Sequence, residues 1–316
     1  MSPYKPTSEK LFFSKNDPDD IRLGNLVKSA LLEELSATDS FCIVGYPDDE
    51  GIKLNNGRPG AAAGPVTIRQ YLYKMTPPTA SSPEFYDGGD LNPLADLATR
   101  HLQAQTGIHS LQSKRIRTLS LGGGHDYGYS DASGFLKANL NQKNRPLIIN
   151  FDAHLDVRPD NQGFNSGTPF FRLLNEFTDN FDFAEVGIQP QCNSLVHRKW
   201  AQSRKAAIFT LSDLSKNGGL NNLFQKPPFL QLTKSTPVFI SFDIDCLTST
   251  EAPGCSQSWV TGLKTEEFLQ FMSKLFTVSD VRGLGIYEVS PPLDFNDQTS
   301  KTAALIAYNF LFQGVL

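Results

Sequence analysis

The sequence is poor in several features that mark particular classes of protein. Only four of its 316 residues are cysteines, and none forms a CxxC pair, so we expect neither a disulfide scaffold nor a thiolate zinc site. No apolar run approaches the roughly 18 residues of a membrane helix. The N-terminus, MSPYKPTSEKLFF, lacks the basic and apolar regions of a secretion signal. We therefore expect no membrane contact and a cytoplasmic location.

An excess of positive charge is also lacking. Lys and Arg number 29 against 33 Asp and Glu, which gives a net charge of −4 without any basic block. Nucleic-acid binding is therefore not expected. Hydrophobic residues make up 39% and charged residues 20% of the chain, which is enough apolar material to bury a sizeable core. The composition predicts a soluble globular protein.

Apolar runs typical of strands alternate with helical patterns along the chain. The predicted strands are near-continuous apolar stretches, as expected for a parallel sheet covered on both faces; they span 41–46, 116–121, 147–152, 183–189, 206–210, 237–243 and 282–289. Helices are predicted between them, over 26–36, 65–75, 265–276 and 299–313. This alternation indicates an α/β fold with a doubly wound, mostly parallel sheet, whose ligands bind at the carboxyl ends of the strands.

Three polar motifs each follow a predicted strand: Gly122-Gly123-Gly124-His125-Asp126, Asp152-Ala153-His154-Leu155-Asp156 and Asp243-Ile244-Asp245. If the strand continues, its period of two places Asp152, His154 and Asp156 on one side. Carboxylates and an imidazole gathered at one point repel and are poorly solvated unless they share a cation. Such mixed oxygen and nitrogen ligands suit Mn²⁺, Fe²⁺ or Zn²⁺.

Together the motifs supply more ligands than one ion uses. Two ions fit if Asp152 and Asp243 bridge them, and such pairs can activate a bridging water as hydroxide. Each motif alone has an ordinary alternative, since a lone carboxylate pair is often a cap or a surface feature and GGGH is often only a turn. Three such motifs at the ends of core strands in one chain favour the metal site.

The motifs GGGHD, NFDAHLDVRP, SFDIDCL and YEVSPPLD, in this order, resemble those of the arginase/agmatinase/formimidoylglutamase (ureohydrolase) family. The resemblance implies a three-layer α/β/α fold with a mostly parallel sheet of about eight strands, formed by residues 1–316 as one domain with 1–36 as an N-terminal extension packed on it. It also implies a site for two Mn²⁺ ions. One ion would be held by His125, Asp152, Asp156 and Asp243, and the other by Asp152, His154, Asp243 and Asp245.

Within the family, three loops resemble those of formimidoylglutamases: Asp17 to Gly24, Asn56 to Ala61, and Asn165 to Phe170. Arginases carry a proton-shuttling histidine where Ser166 falls. The resemblance assigns Glu288 to the positively charged formimino or guanidinium group of the substrate; its alternative is an ordinary glutamate at a strand end.

Two arginines are candidates for pairing with an acidic substrate, because a guanidinium grips a carboxylate through two hydrogen bonds. Arg58 and Arg158 are accordingly predicted to bind substrate, together with Asn165, Ser166 and Glu288. Two alternatives remain open here: Arg158 orients a ligand aspartate, or Arg58 only orders its glycine-rich loop.

The predicted reaction is Mn²⁺-dependent hydrolysis of N-formimino-L-glutamate to glutamate and formamide, in histidine breakdown. A metal-bridging hydroxide attacks the formimino carbon, Glu288 orients the cationic group, and Asp156 or Asp245 relays a proton to the leaving amine. One alternative is a guanidino-compound hydrolase of the agmatinase, guanidinobutyrase or arginase kind that releases urea. A remoter one is a non-catalytic, metal-stabilised binding protein.

Cysteine and histidine give three weaker predictions. Cys42 and Cys246 are a candidate redox-sensitive pair, if their Cα atoms lie within about 7 Å; otherwise they are two buried thiols. His101, His109 and His197 lie in polar stretches and are predicted to be surface residues. The resemblance also suggests a homo-oligomer.

Overall fold

A computed structural model describes residues 2–36, 38–79, 83–140 and 143–314. Within these ranges a single sheet of ten strands crosses the molecule, in the order β1-β4-β3-β5-β10-β9-β6-β7-β8, with β2 beside β4. The strands are β1 Tyr4–Lys5, β2 Val27–Ser29, β3 Phe41–Gly45, β4 Phe85–Leu91, β5 Arg117–Leu121, β6 Leu147–Phe151, β7 Asp182–Ile188, β8 Ala207–Thr210, β9 Pro237–Asp243 and β10 Asp280–Tyr287.

Helices lie between the strands and give the predicted α/β architecture. The α-helices are α1 Leu23–Leu26, α2 Glu50–Leu54, α3 Gly64–Leu72, α4 Leu97–Ser113, α5 Tyr127–Asn139, α6 Pro169–Glu176, α7 Leu195–Ser203, α8 Leu211–Lys216, α9 Thr265–Val278 and α10 Gln298–Leu311. None of the helices in the described part of the chain is long and apolar enough to cross a membrane.

All seven predicted strands are present, and every described pairing except that of β1 with β4 is parallel. The sheet has ten described strands where the resemblance implies about eight. The three strands that the apolar runs do not predict contain few apolar residues or are very short. Two of them are edge pieces of two and three residues, β1 and β2. The third, β4, has the sequence FYDGGDL. Its aspartates and glycines are uncommon in strands and interrupt the apolar run.

The helix predicted over 26–36 is wrong. Helix α1 ends at Leu26, and Val27 is buried where β2 pairs in parallel with β4. Residues 26–36 have helical periodicity, but pairing with β4 overrides that local preference. The N-terminal segment thus adds two strands, β1 and β2, to the sheet that the rest of the chain builds.

Strand β4 carries a buried ion network. The fully buried Arg69 of α3 donates from Nε to Asp87 Oδ2 at 2.9 Å and from Nη1 to Asp90 Oδ1 at 2.7 Å. Tyr73 Oη and Thr7 Oγ1 also donate to the Asp87 carboxylate, at 2.5 and 2.8 Å. The network ties α3 and the N-terminal segment to this side of the sheet.

Replacing Arg69 by Met is expected to destabilise the protein by about 3–5 kcal/mol, because it leaves the buried Asp87 charge without its cation. Urea unfolding measures the change. The matched control is Lys28→Met, which removes an exposed pair with Glu84 and is expected to leave the midpoint unchanged. Equal midpoints for both variants would show that the network does not hold this side of the sheet.

The centre of the sheet positions the site. Strands β5, β10, β9 and β6 are neighbours and parallel, so their carboxyl ends lie side by side. Consecutive strands β5 and β6 are separated by β10 and β9, which the chain adds later, and a crevice for ligands forms at such a point in an open sheet.

Candidate metal centre

Each of the four central strands delivers a polar side chain to the crevice. His125 follows β5, Asp152 follows β6, Asp243 ends β9 and Glu288 follows β10. All four are buried, with at most 5% of their surface exposed. The structure therefore brings together the three motifs that are far apart in the sequence.

The first group of ligand atoms surrounds His125 Nδ1. This atom lies 3.1 Å from Asp152 Oδ2, 3.0 Å from Asp156 Oδ2 and 3.2 Å from Asp243 Oδ2. No side chain in the described ranges makes a well-directed hydrogen bond with it, although it is fully buried. Separations of about 3 Å are those between adjacent ligands around an octahedral ion with bonds near 2.1 Å.

The second group contains Asp152, His154 and Asp245. His154 Nδ1 lies 3.4 Å from Asp152 Oδ1 and 3.0 Å from Asp245 Oδ2. The two oxygens of Asp152 thus face different histidines. Asp152 is shared by both groups that could hold a metal ion.

The two groups form although the strands do not continue through the motifs. Strand β6 ends at Phe151 and β9 ends at Asp243, where a short 3₁₀ turn begins. Asp156 has a left-handed backbone with φ of 46°, and Glu288 has φ of 64°. The strand periodicity used above is therefore wrong as the reason for convergence: irregular and strained backbone turns the side chains inward.

Hydrogen bonds from the chain orient the ligand side chains. Ser241 Oγ lies 2.8 Å from His125 Nε2, which leaves Nδ1 to face the carboxylates. The amide of His154 donates to Asp152 Oδ1 at 2.6 Å, and the amide of Asp245 donates to Asp243 Oδ1 at 2.8 Å. These contacts hold the carboxylates in place before any ligand arrives.

A cation would stabilise the buried negative charge of the cluster. Burial and the charges of Asp245 and Asp152 raise the pKa of Asp243 well above its usual range. Burial lowers the pKa of His125, but the carboxylates of Asp152, Asp156 and Asp243 outweigh it, and the net pKa lies well above that of a free imidazole. With its unpaired Nδ1 among three oxygens, this donor set fits divalent metal.

Glu288 lies beside the first group. One of its oxygens, Oε1, accepts the His125 amide at 3.1 Å, and its own amide donates to Gly123 O at 2.8 Å. Burial and the charge of Asp243 raise the pKa of Glu288 well above its usual range. A cationic group bound next to it would restore its charged form.

A cavity of about 760 Å³ opens above the cluster and contains the surfaces of His154, Asp156, Asp243, Asp245 and Glu288. Asn165, Ser166 and Arg158 line it as well. Ser166 Oγ accepts from Asn55 Nδ2 at 3.0 Å, and Arg158 Nη1 donates to Asn55 Oδ1 at 2.7 Å.

Arg58 stands apart from the other predicted substrate residues. Its guanidinium donates to the carbonyls of Ser256 and Cys255 at 3.0 and 2.9 Å. Among the described residues that line the cavity, Arg58 is absent. The arginine thus holds its glycine-rich loop against residues 255–256, as the structural alternative predicts.

The structure rejects the pairing of Cys42 with Cys246. Cys42 lies on β3 and Cys246 follows β9, and the sheet order puts three strand spacings between these strands, or about 14 Å. A disulfide needs Cα atoms within about 7 Å. Both cysteines are buried and free, as the alternative predicts.

Several residues near the site are missed by sequence reasoning. His101 is buried, so its prediction as a surface residue is wrong; His109 is exposed, and His197 is half-buried at the cavity wall. Below Asp152, Asn150 Nδ2 lies 3.5 Å from Asp152 Oδ2 and 2.8 Å from Glu185 Oε2. Asn150 is a polar residue inside an otherwise apolar strand, and this feature of the sequence could have predicted that it contacts Asp152.

Comparisons with known proteins agree with this geometry. Residues 39–313 match the model of the Arginase family. A formimidoylglutamase of Streptococcus gordonii is 30% identical over 271 residues, which cover 84% of this chain and 82% of that protein.

Solved structures share the fold. Formimidoylglutamase from Bacillus subtilis matches with a TM-score of 0.82 at 28% identity, and the match covers 95% of this chain and 94% of that chain. A Trypanosoma cruzi formiminoglutamase solved with two Mn²⁺ ions has a TM-score of 0.80 at 27% identity, with 94% and 98% covered. The resemblance in the motifs is confirmed: the chain belongs to the arginase family.

Proposed function

We propose that the protein is a manganese-dependent hydrolase that converts N-formimino-L-glutamate and water to L-glutamate and formamide. The observation that carries the proposal is the cluster of two ligand groups sharing Asp152, with Glu288 beside them at the wall of one cavity. The relatives named formimidoylglutamase support this substrate. The Mn²⁺-containing structure supports the metal.

The residues present fit two ions. His125, Asp152, Asp156 and Asp243 would hold one, and Asp152, His154, Asp243 and Asp245 the other. Bound there, the ions would supply Lewis acidity and lower the pKa of water, which makes a nucleophile available near neutral pH.

The chain's own groups bind and orient the substrate. Glu288 accepts hydrogen bonds from the cationic formimino nitrogens and holds the carbon towards the cluster. Asp156 or Asp245, both at the cavity wall, takes a proton from the attacking water and passes it to the nitrogen of glutamate as the bond from that nitrogen to the formimino carbon breaks.

At the other end of the substrate, two carboxylates need partners. Arg158, Asn165 and Ser166 line the same cavity and are assigned to them. A cavity lined by carboxylates and by an arginine suits a substrate with a cationic head and an acidic tail.

Three further properties belong to the proposal. Residues 1–316 form one domain on which 1–36 pack, and the sheet strands supplied by the N-terminal segment support this. The cytoplasmic location and the homo-oligomeric state stay predictions.

The test is a paired product assay on manganese-loaded protein. We expect formamide and glutamate from N-formimino-glutamate, and no urea from arginine, agmatine, guanidinobutyrate or guanidinopropionate. Release of urea from any of these would show that the substrate is a guanidino compound, and the proposed metal site would still stand. Bound metal without turnover on the whole panel would favour the non-catalytic binding protein.

Metal binding is also expected to stabilise the fold. At 100 times its dissociation constant, a ligand of the native state adds about 2.7 kcal/mol, which corresponds to a rise in Tm of about 4 °C in a chain of 316 residues. Differential scanning calorimetry with and without Mn²⁺ measures it. The double variant His125→Ala/His154→Ala is the control and is expected to show no rise; an equal rise in it would place the bound metal elsewhere.

A further inference from the structure

Outside the metal cluster, the side chain of Arg172 is sandwiched between two aromatic rings. Its guanidinium carbon lies 3.6 Å from the ring centre of Tyr129 and 3.5 Å from that of Phe164. Arg172 belongs to α6, Tyr129 to α5, and Phe164 to the segment that precedes α6. At these distances, each ring face attracts the planar cation, and burial strengthens the attraction.

The guanidinium is also fixed at its edge. Arg172 Nη1 lies 3.0 Å from His101 Nδ1, and His101 Nε2 lies 2.7 Å from Asp126 Oδ2. Since a guanidinium only donates, His101 Nδ1 accepts, and the ring proton lies on Nε2 towards Asp126. Asp126 directly follows His125 and directly precedes α5. The contacts therefore connect Arg172 to the start of α5, next to His125.

The cation thereby holds a segment that faces the cavity. Asn161, Gln162, Asn165 and Ser166 line the cavity, whereas Phe164 lies among them and points to Arg172 instead. The two ends of the segment are tied by hydrogen bonds, from the Arg158 amide to Gly167 O at 2.8 Å and from the Ser166 amide to Gly51 O at 3.1 Å.

Between those ends, Phe164 connects the middle of the segment to the helices. It contacts Arg172, and its ring centre lies 5.9 Å from that of His101. Among the described residues, the hydrogen bond of the Gly163 amide goes to Asp160 O, close by in the same loop. An aromatic anchor in an otherwise polar, exposed stretch is a sequence feature that the metal mechanism does not use.

We propose that Arg172 is a positioning residue: by stacking between Tyr129 and Phe164, with His101 at its edge, it holds residues 161–166 over the cavity and so sets the affinity for substrate. This clamp does not touch the reacting atoms, since neither Arg172 nor Phe164 is among the described residues that line the cavity. Its kinetic consequence rests on the proposed function, while its structural consequence does not.

The experiment combines hydrogen exchange with steady-state kinetics on the manganese-loaded protein. Phe164→Ala removes the ring, and Arg172→Met keeps an apolar chain between the rings but loses the charge and the Nη1 donor. Phe164→Tyr retains the ring and is the rescue variant. Arg204→Met is the matched control, because that guanidinium lies 5.4 Å over Trp200, away from the cavity.

Exchange in residues 160–167 is expected to quicken about tenfold in Phe164→Ala and Arg172→Met, because Arg172 is half-buried and its cation–π contacts lie between the exposed and the desolvated limits. KM for N-formimino-glutamate is expected to rise by up to the same factor with kcat within twofold, because only the fraction of molecules with an ordered segment binds well. Phe164→Tyr and Arg204→Met are expected to match the wild type in both measurements.

Unchanged exchange in the segment of Phe164→Ala would overturn the proposal, and so would faster exchange spread evenly over the protein, which would indicate a merely structural role. A fall in kcat at constant KM would overturn it as well. If the wild type turns over no substrate, the proposed function fails, and the exchange measurement still decides whether the clamp holds the segment.

Discussion

Asp152→Ala is expected to abolish hydrolysis and to leave the protein unable to hold a pair of metal ions. Its two oxygens face His125 and His154 respectively, so this one substitution removes a ligand from both groups. Several kcal/mol of transition-state stabilisation would be lost, which lowers kcat by on the order of a thousandfold or more. Product release and metal content, measured on the same samples, check the prediction.

The control for Asp152→Ala is Asp179→Ala, a surface carboxylate paired with Lys205 and remote from the cavity. It is expected to keep wild-type turnover and metal content. Asp243→Ala, which removes another oxygen near His125 Nδ1, is expected to behave like Asp152→Ala. An Asp152→Ala protein with full activity would contradict the metal scheme.

Glu288→Gln is expected to lower kcat/KM by about a hundredfold or more while the metal content stays at the wild-type level. The substitution keeps the shape of the side chain and an oxygen for the His125 amide, but it removes the charge that pairs with the formimino cation. Truncating one partner of a buried charge pair costs several kcal/mol. Steady-state kinetics beside metal analysis separate this loss from a damaged metal site.

Glu266→Gln, on the exposed first turn of α9, is the matched control for loss of a glutamate charge and is expected to leave kcat/KM unchanged. Loss of metal from Glu288→Gln would assign Glu288 to the metal cluster instead of the substrate. Unchanged kcat/KM would remove it from the site altogether.

The fold and the cluster differ in how they follow from sequence. Seven strands could be predicted because each is a mostly apolar run, and all of them except β8 are largely buried. The three motifs stood out because carboxylates rarely end such strands without a reason. The strand β4 could not, since its Asp87 and Asp90 are made tolerable by Arg69, a partner that only the fold reveals. Tertiary pairing likewise overrode the helical pattern at Val27.

Distance across the sheet was the other missing information. Cys246 directly follows Asp245 and Cys42 lies in the first predicted strand, and only the strand order shows that they are far apart. His101 lies in a polar stretch, but α4 packs it against α5, where it meets Asp126 and Arg172. Asp156 and Glu288 have a left-handed backbone, and no local sequence pattern predicts this conformation.

Electron paramagnetic resonance of the Mn²⁺-loaded wild type shows whether two metal ions share Asp152. We expect two Mn²⁺ per chain at saturation and the spectrum of an interacting pair, since ions held by one carboxylate lie about 3.5–4 Å apart. A single Mn²⁺ per chain, or the spectrum of isolated ions at full loading, would show that Asp152 is not shared.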